Sequence, residues 1–148
     1  MEVYETNVAG PFLLAKMFLP LLKKAADGNS EKHKGNTMSC RRAAIINIST
    51  LISSMEKCSE TFHVAPMYAY RTSKAALNML TCCLAEDFKT HNILVTAIHP
   101  GWVRTELGGT EAPLTTRDSV LSMVSVMSFL GNKDSGMLLD RQGNTIPW

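Results

Sequence analysis

The chain has 148 residues, of which 45% are hydrophobic and 19% are charged, and its formal net charge is +2. This composition is close to that of an average globular protein and excludes a disordered or fibrous class, while the length fits one domain. Because no run of Lys or Arg interleaves with aromatic residues and no apolar run approaches the thickness of a bilayer, we expect a small-molecule ligand, and neither nucleic acid nor a membrane as a partner.

A long helix is the first element that the sequence predicts, over residues 3–24. Apolar side chains recur there at the spacing of one helix face, at Val8, Phe12, Ala15, Leu19 and Leu22. Pro11 and Pro20 lie inside this pattern, so we expect the helix to bend. The polar residues 26–42 that follow have no period, and we predict a flexible, solvated loop without chemistry.

Two short strands and a helix between them are predicted next. Residues 43–48 form an apolar, β-prone run that fits a strand buried on both faces of a parallel sheet. Residues 66–89 have a helical stripe, with Pro66 well suited to the first turn. Residues 93–98 form the second strand, which the turn pair Pro100-Gly101 ends.

The last third of the chain predicts one more helix and a weak strand. The apolar stripe of this helix consists of Val120, Met123, Val124, Met127 and Leu130. Either Thr116 or Asp118 is its expected N-cap, and Gly131 is expected to end it. Residues 137–139 are the weak strand. The alternation of helices and strands predicts an α/β fold with right-handed crossovers.

The cysteines and histidines predict neither disulfides nor a metal site. Cys82 and Cys83 are adjacent in a helical pattern, whereas Cys40 and Cys58 lie alone in polar stretches. This arrangement favours a reducing, cytoplasmic location. No histidine lies at ligand spacing from another histidine or from a cysteine, so we expect no bound metal.

Tyr70 and Lys74 are the pair of residues that could carry chemistry. Four residues apart on a helix, they project from the same face and can interact. A lysine cation beside a tyrosine favours the phenolate, so we expect Lys74 to lower the Tyr70 pKa toward a range useful for acid–base catalysis. Exposed pairs at this spacing are common, so the pair by itself does not define a site.

Four segments resemble landmarks of the short-chain dehydrogenase/reductase family, in the right order and across nearly the whole chain. They are its helical Asn motif at residues 7–12, its strand ending at a catalytic hydroxyl at residues 46–50, its signature at residues 70–74 and its nicotinamide loop at residues 100–105. The sequences of the signature, of the His-Pro-Gly-Trp-Val stretch and of the final Gly-Asn-Thr-Ile-Pro-Trp are similar to those of sniffer-like and C-factor-like carbonyl reductases.

The resemblance implies the carboxy-terminal half of a doubly wound, parallel-sheet Rossmann fold, with residues 1–148 forming a partial domain. The amino-terminal dinucleotide-binding strands are expected to be missing, because the sequence contains neither G-x-G-x-x-G nor G-x-x-x-x-G-K-[ST]. The implied activity is NAD(P)-dependent interconversion of a carbonyl and an alcohol by hydride transfer, with NADPH preferred to NADH. We expect the chain alone to bind cofactor poorly, to lack activity and to expose an apolar sheet edge.

The same resemblance assigns the catalytic roles. Tyr70 is the implied general acid/base, and Lys74 both lowers the Tyr70 pKa and hydrogen-bonds the nicotinamide ribose. Thr50 stands where the family usually has a serine, and its extra methyl group restricts χ1. Ser49 and Ser53 stay open as alternatives, since the stretch from Thr50 to Tyr70 is longer than usual for the family.

The resemblance also assigns residues to the nicotinamide loop. Pro100 and Gly101 form its turn after a strand, where open α/β sheets bind ligands. The Val103 backbone and the Thr105 hydroxyl would contact the nicotinamide carboxamide and a nearby phosphate. For the turn pair alone, a tight turn without function is the simpler interpretation.

Asn7 is expected to anchor a water that links Lys74 to solvent. Pro11 adds a physical reason, because it has no N–H to donate to the Asn7 carbonyl four residues back. We therefore expect a kink there and a carbonyl that can hold the water.

Two other functions stay open. A truncated or inactive relative would act as an association module through its Tyr70 helix, which the family uses in homodimers and homotetramers. A sugar-nucleotide epimerase of the extended branch also has Tyr-x-x-x-Lys, but it lacks this Pro-Gly-x-x-x-Thr loop.

Overall fold

The structure, a computed structural model, describes residues 1–28 and 37–148. The α-helices are α1 (Glu2–Tyr4), α2 (Gly10–Gly28), α3 (Cys58–Thr61), α4 (Tyr68–Phe88) and α5 (Thr116–Met127). The strands are β1 (Ala44–Ile48), β2 (Leu94–His99) and β3 (Leu138–Asp140). A π-helical segment (Glu5–Ala9) joins α1 to α2, and single 3-10 turns lie at Leu51–Ser53, Lys89–His91 and Asn132–Asp134.

The three strands form one parallel sheet in the order β1-β2-β3. Ile48 pairs in register with Ile98, and His99 pairs with Asp140. Helix α4 connects β1 to β2, and α5 lies in the connection from β2 to β3. The predicted α/β fold with a parallel sheet is therefore confirmed. Parallel strands place their carboxyl ends at one edge, where ligands bind in open α/β sheets.

Both faces of the central strand β2 are buried, as its continuous apolar sequence predicts. Val95 packs in a cluster with Leu84 and Phe88 of α4 and with buried alanines of α2. Its neighbour Leu94 points to the other face, into a cluster with Leu139 and half-buried side chains of α5. Two helices thus cover one face of the sheet and α5 covers the other.

A π-helical segment interrupts the long amino-terminal helix directly before Pro11, where the sequence predicts a bend. The π-helical segment ends directly before Gly10 and Pro11, and the Gly10 N–H bonds the carbonyl of Glu5, five residues back. Widening a helix to this spacing is one way to accommodate a residue that cannot donate a backbone hydrogen bond. Pro20 stays inside α2 without ending it.

The prediction of a solvated loop over 26–42 is wrong for part of that range. Helix α2 continues to Gly28, and Ala26 is fully buried. Arg42 and Met38 are also buried, and the Arg42 Nε atom donates to the Ala26 carbonyl over 3.0 Å. This contact ties the end of α2 to the start of β1. Residues 29–36 lie outside the described residues.

Three predicted element ends are shifted. Helix α4 begins at Tyr68 rather than at Pro66, with Met67 as its N-cap. The N-cap of α5 is Thr115, rather than Thr116 or Asp118, because the Thr115 hydroxyl accepts the Asp118 N–H over 3.0 Å. Helix α5 also ends at Met127, before the expected Gly131.

Helix α2 and strand β1 both expose apolar side chains. Helix α2 exposes a row of large side chains: Phe12, Leu13, Leu14, Met17, Phe18 and Leu21. Strand β1 lies at the edge of the sheet, and Ile48 at its end is exposed. The expected apolar sheet edge is therefore present. Within residues 1–28 and 37–148, no helix combines the length and apolarity needed to span a membrane.

Candidate active site

The sequence-predicted site residues converge at the carboxyl edge of the sheet. Tyr70 and Lys74 lie on the first two turns of α4, which passes over the end of β1. The Lys74 Nζ atom donates a 2.8 Å hydrogen bond to the carbonyl of Ile48, the last residue of β1. The same Nζ atom lies 5.9 Å from the centre of the Tyr70 ring. The expected pair is thus formed, and it is anchored to the strand end.

The electrostatics of the pair differ from the expectation. Burial raises the pKa of Tyr70 above its ordinary value, and a hydrogen bond with the Thr50 side chain opposes this only in part. Burial also lowers the pKa of Lys74. The prediction that Lys74 lowers the Tyr70 pKa is therefore wrong for this structure. The lysine nitrogen faces the ring and the Ile48 carbonyl, while withdrawal of the phenol from water disfavours the phenolate.

Thr50 supplies the hydroxyl that interacts with the Tyr70 phenol. The Thr50 side chain acts on the phenol as a hydrogen-bonding group and lowers the Tyr70 pKa, and the Thr50 hydroxyl accepts the Ile52 N–H over 3.4 Å. Thr50 has an extended backbone and caps the 3-10 turn at Leu51–Ser53, which turns the chain away from the sheet immediately after β1. This geometry favours Thr50 for the serine role.

Ser49 and Ser53 form hydrogen bonds with Asn78, a residue that the sequence did not single out. The Ser49 hydroxyl donates to Asn78 Oδ1 over 2.5 Å, and Asn78 Nδ2 donates to the Ser53 hydroxyl over 2.8 Å. All three side chains are buried. A polar residue one helical turn beyond Lys74, on the buried face of α4, was the available signal. The network fixes the backbone on both sides of Thr50.

Asn7 reaches the signature through its side chain. Asn7 Nδ2 donates to the Ser73 hydroxyl over 3.0 Å, and that hydroxyl donates to the Tyr70 carbonyl over 2.8 Å. The π-helical segment therefore packs beside α4, one residue from Lys74. The water held by the Asn7 carbonyl stays a prediction.

The segment after β2 forms a turn that requires glycine. Gly101 has a φ of +85°, and a Cβ atom there would overlap the Leu114 side chain. The Pro100 carbonyl accepts a 2.7 Å hydrogen bond from the Ser119 hydroxyl of α5. Val103 forms a parallel bridge with Leu114. The turn is thereby held at the end of β2, beside the end of β1.

Thr105 lies farther along this turn and is exposed. Its hydroxyl accepts the Gly108 N–H over 3.0 Å, and the Trp102 indole nitrogen donates to the Gly108 carbonyl over 2.7 Å. The expected contacts of Val103 and Thr105 with a nicotinamide stay predictions.

His99 is a further titratable group at this edge. Its Nδ1 atom is buried and has no hydrogen-bond partner among the described residues. Burial is the main cause that lowers its pKa to about 4; the Arg141 cation lowers it further and the Asp140 carboxylate opposes the shift. The imidazole is therefore neutral at physiological pH.

The short chain dehydrogenase family model matches residues 1–113, and the chain belongs to that family. C-signal of Myxococcus xanthus is 32% identical over 147 residues, which cover 99% of this chain and 77% of C-signal.

Solved structures share the fold. The carbonyl reductase Sniffer of D. melanogaster gives a TM-score of 0.90 at 41% identity, over 98% of this chain and 55% of that one. The NADPH-bound carbonyl reductase from chicken fatty liver gives a TM-score of 0.91 at 44% identity, over 99% of this chain and 54% of that one. The chain thus spans about half the length of both reductases and has a partial Rossmann fold, as predicted.

Proposed function

We propose that the protein is an NADPH-dependent oxidoreductase that reduces a carbonyl on a small or lipophilic substrate to an alcohol. The observation that carries the proposal is the convergence of Tyr70, Lys74 and Thr50 at the carboxyl edge of the sheet, where the Lys74 Nζ atom bonds the Ile48 carbonyl over 2.8 Å and lies 5.9 Å from the centre of the Tyr70 ring. Similarity to Sniffer and to the NADPH-bound chicken reductase supports this choice of reaction and cofactor.

Reduction of a carbonyl requires a proton and polarisation of the oxygen. Tyr70 would donate the proton to the oxygen as it becomes an alkoxide, and Thr50 would donate a hydrogen bond to the same oxygen. The cofactor supplies a hydride to the carbonyl carbon when it is bound. Because burial raises the Tyr70 pKa, the phenol stays protonated at neutral pH. The site therefore suits reduction better than alcohol oxidation.

The residues at this edge fit the nicotinamide end of the cofactor. An ammonium group has three N–H bonds, so Lys74 can donate to a ribose hydroxyl while it bonds the Ile48 carbonyl. Gly101, next to Pro100, has no side chain to obstruct a ligand in its turn. We assign Val103 and Thr105 to the carboxamide and a nearby phosphate.

Asn7 is assigned a supporting role beside Lys74. Its side chain bonds Ser73, the residue before Lys74, so Asn7 and the signature keep a fixed separation. A water held there would connect the ammonium group to solvent and return the proton that Tyr70 gives up.

A second candidate function is association without catalysis. The exposed row on α2 is a surface that a monomeric protein rarely leaves uncovered. On α4, Tyr68 and Met79 are also exposed, which supports pairing of two copies through the Tyr70 helix. We propose a cytoplasmic location, where the four free cysteines stay reduced.

Two measurements on the native full-length protein separate the two functions. NADPH oxidation is followed against a panel of aldehydes, ketones and quinones, and the oligomeric state is measured by light scattering. Turnover of one class of carbonyl supports the enzyme. Stable self-association without turnover on any member supports the association module.

A further inference from the structure

Arg71 is a buried cation directly after Tyr70, and no role has so far been assigned to it. Only 7% of its surface is exposed. The guanidinium makes four hydrogen bonds, and their acceptors are two backbone carbonyls and a hydroxyl. They are the Ala65 carbonyl at 2.7 Å, the Ile52 carbonyl at 3.0 Å, and the Thr61 hydroxyl at 3.1 Å from both Nη1 and Nη2.

All of these acceptors belong to one segment, residues 52–65, which follows Thr50. The guanidinium holds the start of the segment at Ile52, its middle at Thr61 and its end at Ala65. It also lies 5.6 Å from the centre of the Phe62 ring, a distance at which a cation and an aromatic face attract each other. A planar group with five donors on three nitrogens can join acceptors this far apart, whereas a lysine has three donors on a single nitrogen.

Ile52 links this clamp to the candidate active site. The Ile52 carbonyl accepts from Arg71, and the Ile52 N–H donates to the Thr50 hydroxyl. The Thr50 side chain in turn acts on the phenol of Tyr70, the residue before Arg71. A chain of hydrogen bonds therefore leads from Arg71 through Ile52 to the Thr50 hydroxyl.

We propose that Arg71 is a positioning residue, which fixes the 52–65 segment so that the Thr50 hydroxyl stays against the Tyr70 phenol. The inference rests on the proposed function for its consequence in turnover. The long stretch between Thr50 and Tyr70 makes such a clamp necessary, because each additional ordered residue costs conformational entropy. Loss of the clamp would free Thr50 without touching Tyr70.

A purely structural role is the competing explanation, and Arg42 supplies the matched control. Arg42 is equally buried, with 7% of its surface exposed, and it too donates to backbone carbonyls, those of Ala26 and Thr37. It lies at the opposite end of β1 from Thr50. Arg42→Gln and Arg71→Gln should therefore lower the melting temperature comparably, while only Arg71→Gln should disturb the site.

The test is a double-mutant cycle on the native full-length protein. At neutral pH, the Tyr70 13Cζ resonance reports the hydrogen bond at the phenol oxygen, and it needs no turnover. We expect Arg71→Gln to move this resonance as far as Thr50→Val does, and the double variant to move it no farther. Arg42→Gln should leave it in place. Independent, additive shifts, or an unmoved resonance in Arg71→Gln, would overturn the proposal.

Turnover supplies the second readout. We expect Arg71→Gln to lower kcat on the order of tenfold to a hundredfold, with KM for the carbonyl changed less than about threefold. Arg71→Lys, which keeps the charge and is the milder change for folding, should give an intermediate loss. Equal kcat in Arg71→Lys and the wild type would contradict the positioning role. Coupled resonance shifts in a protein without turnover would leave the clamp intact and reject the reductase instead.

Discussion

The Lys74 Nζ atom donates a 2.8 Å hydrogen bond to the carbonyl of Ile48 and thereby joins the second turn of α4 to the last residue of β1. The bond holds the ammonium group beside the Tyr70 ring, 5.9 Å from its centre, at the carboxyl edge of the sheet. Burial lowers the pKa of the half-buried Lys74, so the cation is partly withdrawn from water at this edge.

Lys74→Met should separate activity from stability. Replacing a buried, hydrogen-bonded charge by an apolar side chain of similar length is often neutral for folding, so we expect a melting temperature near that of the wild type. Loss of the cation should raise KM for NADPH and lower kcat by about a hundredfold or more. Lys89 is an exposed residue directly after the same helix, and Lys89→Met should change neither KM for NADPH nor kcat. A large drop in stability in Lys74→Met would mean that the lysine serves the fold.

Thr50 and its neighbour Ser49 should respond differently to removal of the hydroxyl. Thr50→Val removes the hydroxyl that acts on the Tyr70 phenol and should lower kcat roughly a hundredfold, while Thr50→Ser should retain most of it. Ser49→Ala leaves Asn78 Oδ1 without its 2.5 Å donor and should cost about 1–3 kcal/mol of unfolding free energy. Steady-state kinetics and urea denaturation of the three variants test this division. A kinetic loss in Ser49→Ala greater than in Thr50→Val would reassign the catalytic hydroxyl.

His99 should make the protein less stable in mild acid. Its pKa is about 4 in the folded protein and 6.5 for the free side chain, so the unfolded chain binds a proton first as the pH falls. Stability is therefore complete above pH 6.5 and declines between pH 6.5 and about 4. The full shift corresponds to about 3 kcal/mol.

Urea denaturation at pH 7 and pH 4.5 measures the His99 contribution. The window stays above the ordinary Asp140 pKa of 3.8, which is lowered further by hydrogen bonds within its turn, so that carboxylate contributes little to the change. His99→Gln should reduce the loss of stability, whereas His63→Gln, an exposed control, should not. An unchanged loss in His99→Gln would show that other groups govern acid sensitivity.

The sequence was sufficient to predict the sheet and the helix that carries the signature. Strands β1 and β2 lie within one residue of the predicted ranges 43–48 and 93–98. Buried parallel strands have continuous apolar sequences, so their position depends on local composition. The shared face of Tyr70 and Lys74 follows from helical spacing in the same way.

The supporting contacts of the site could not be predicted in this way. Asn78 bonds Ser49 across 29 positions of the sequence, and Arg71 bonds the Ile52 carbonyl across 19. No local pattern encodes such pairs, because they depend on how a helix packs against the end of a strand. The Tyr70 pKa was predicted in the wrong direction for a related reason, since spacing defines neighbours and not burial.

In residues 26–42, too, burial could not be predicted from local sequence. The polar composition of this range hid two buried residues, Met38, which packs in the cluster with Leu94 and Leu139, and Arg42, which bonds the end of α2. A hydrogen bond from Arg42 to the Ala26 carbonyl is a property of the folded chain, and composition alone does not report it.

The proposed carbonyl reduction depends most directly on Tyr70 as the proton donor. The deciding measurement compares carbonyl-dependent NADPH oxidation by the wild type, Tyr70→Phe and Tyr68→Phe of the native full-length protein. Tyr68 is 72% exposed on the opposite side of the same helical turn. Tyr68→Phe therefore removes a phenol hydroxyl outside the candidate active site. We predict that Tyr70→Phe loses about a hundredfold or more in kcat and that Tyr68→Phe is unchanged. Full turnover in Tyr70→Phe would contradict the account.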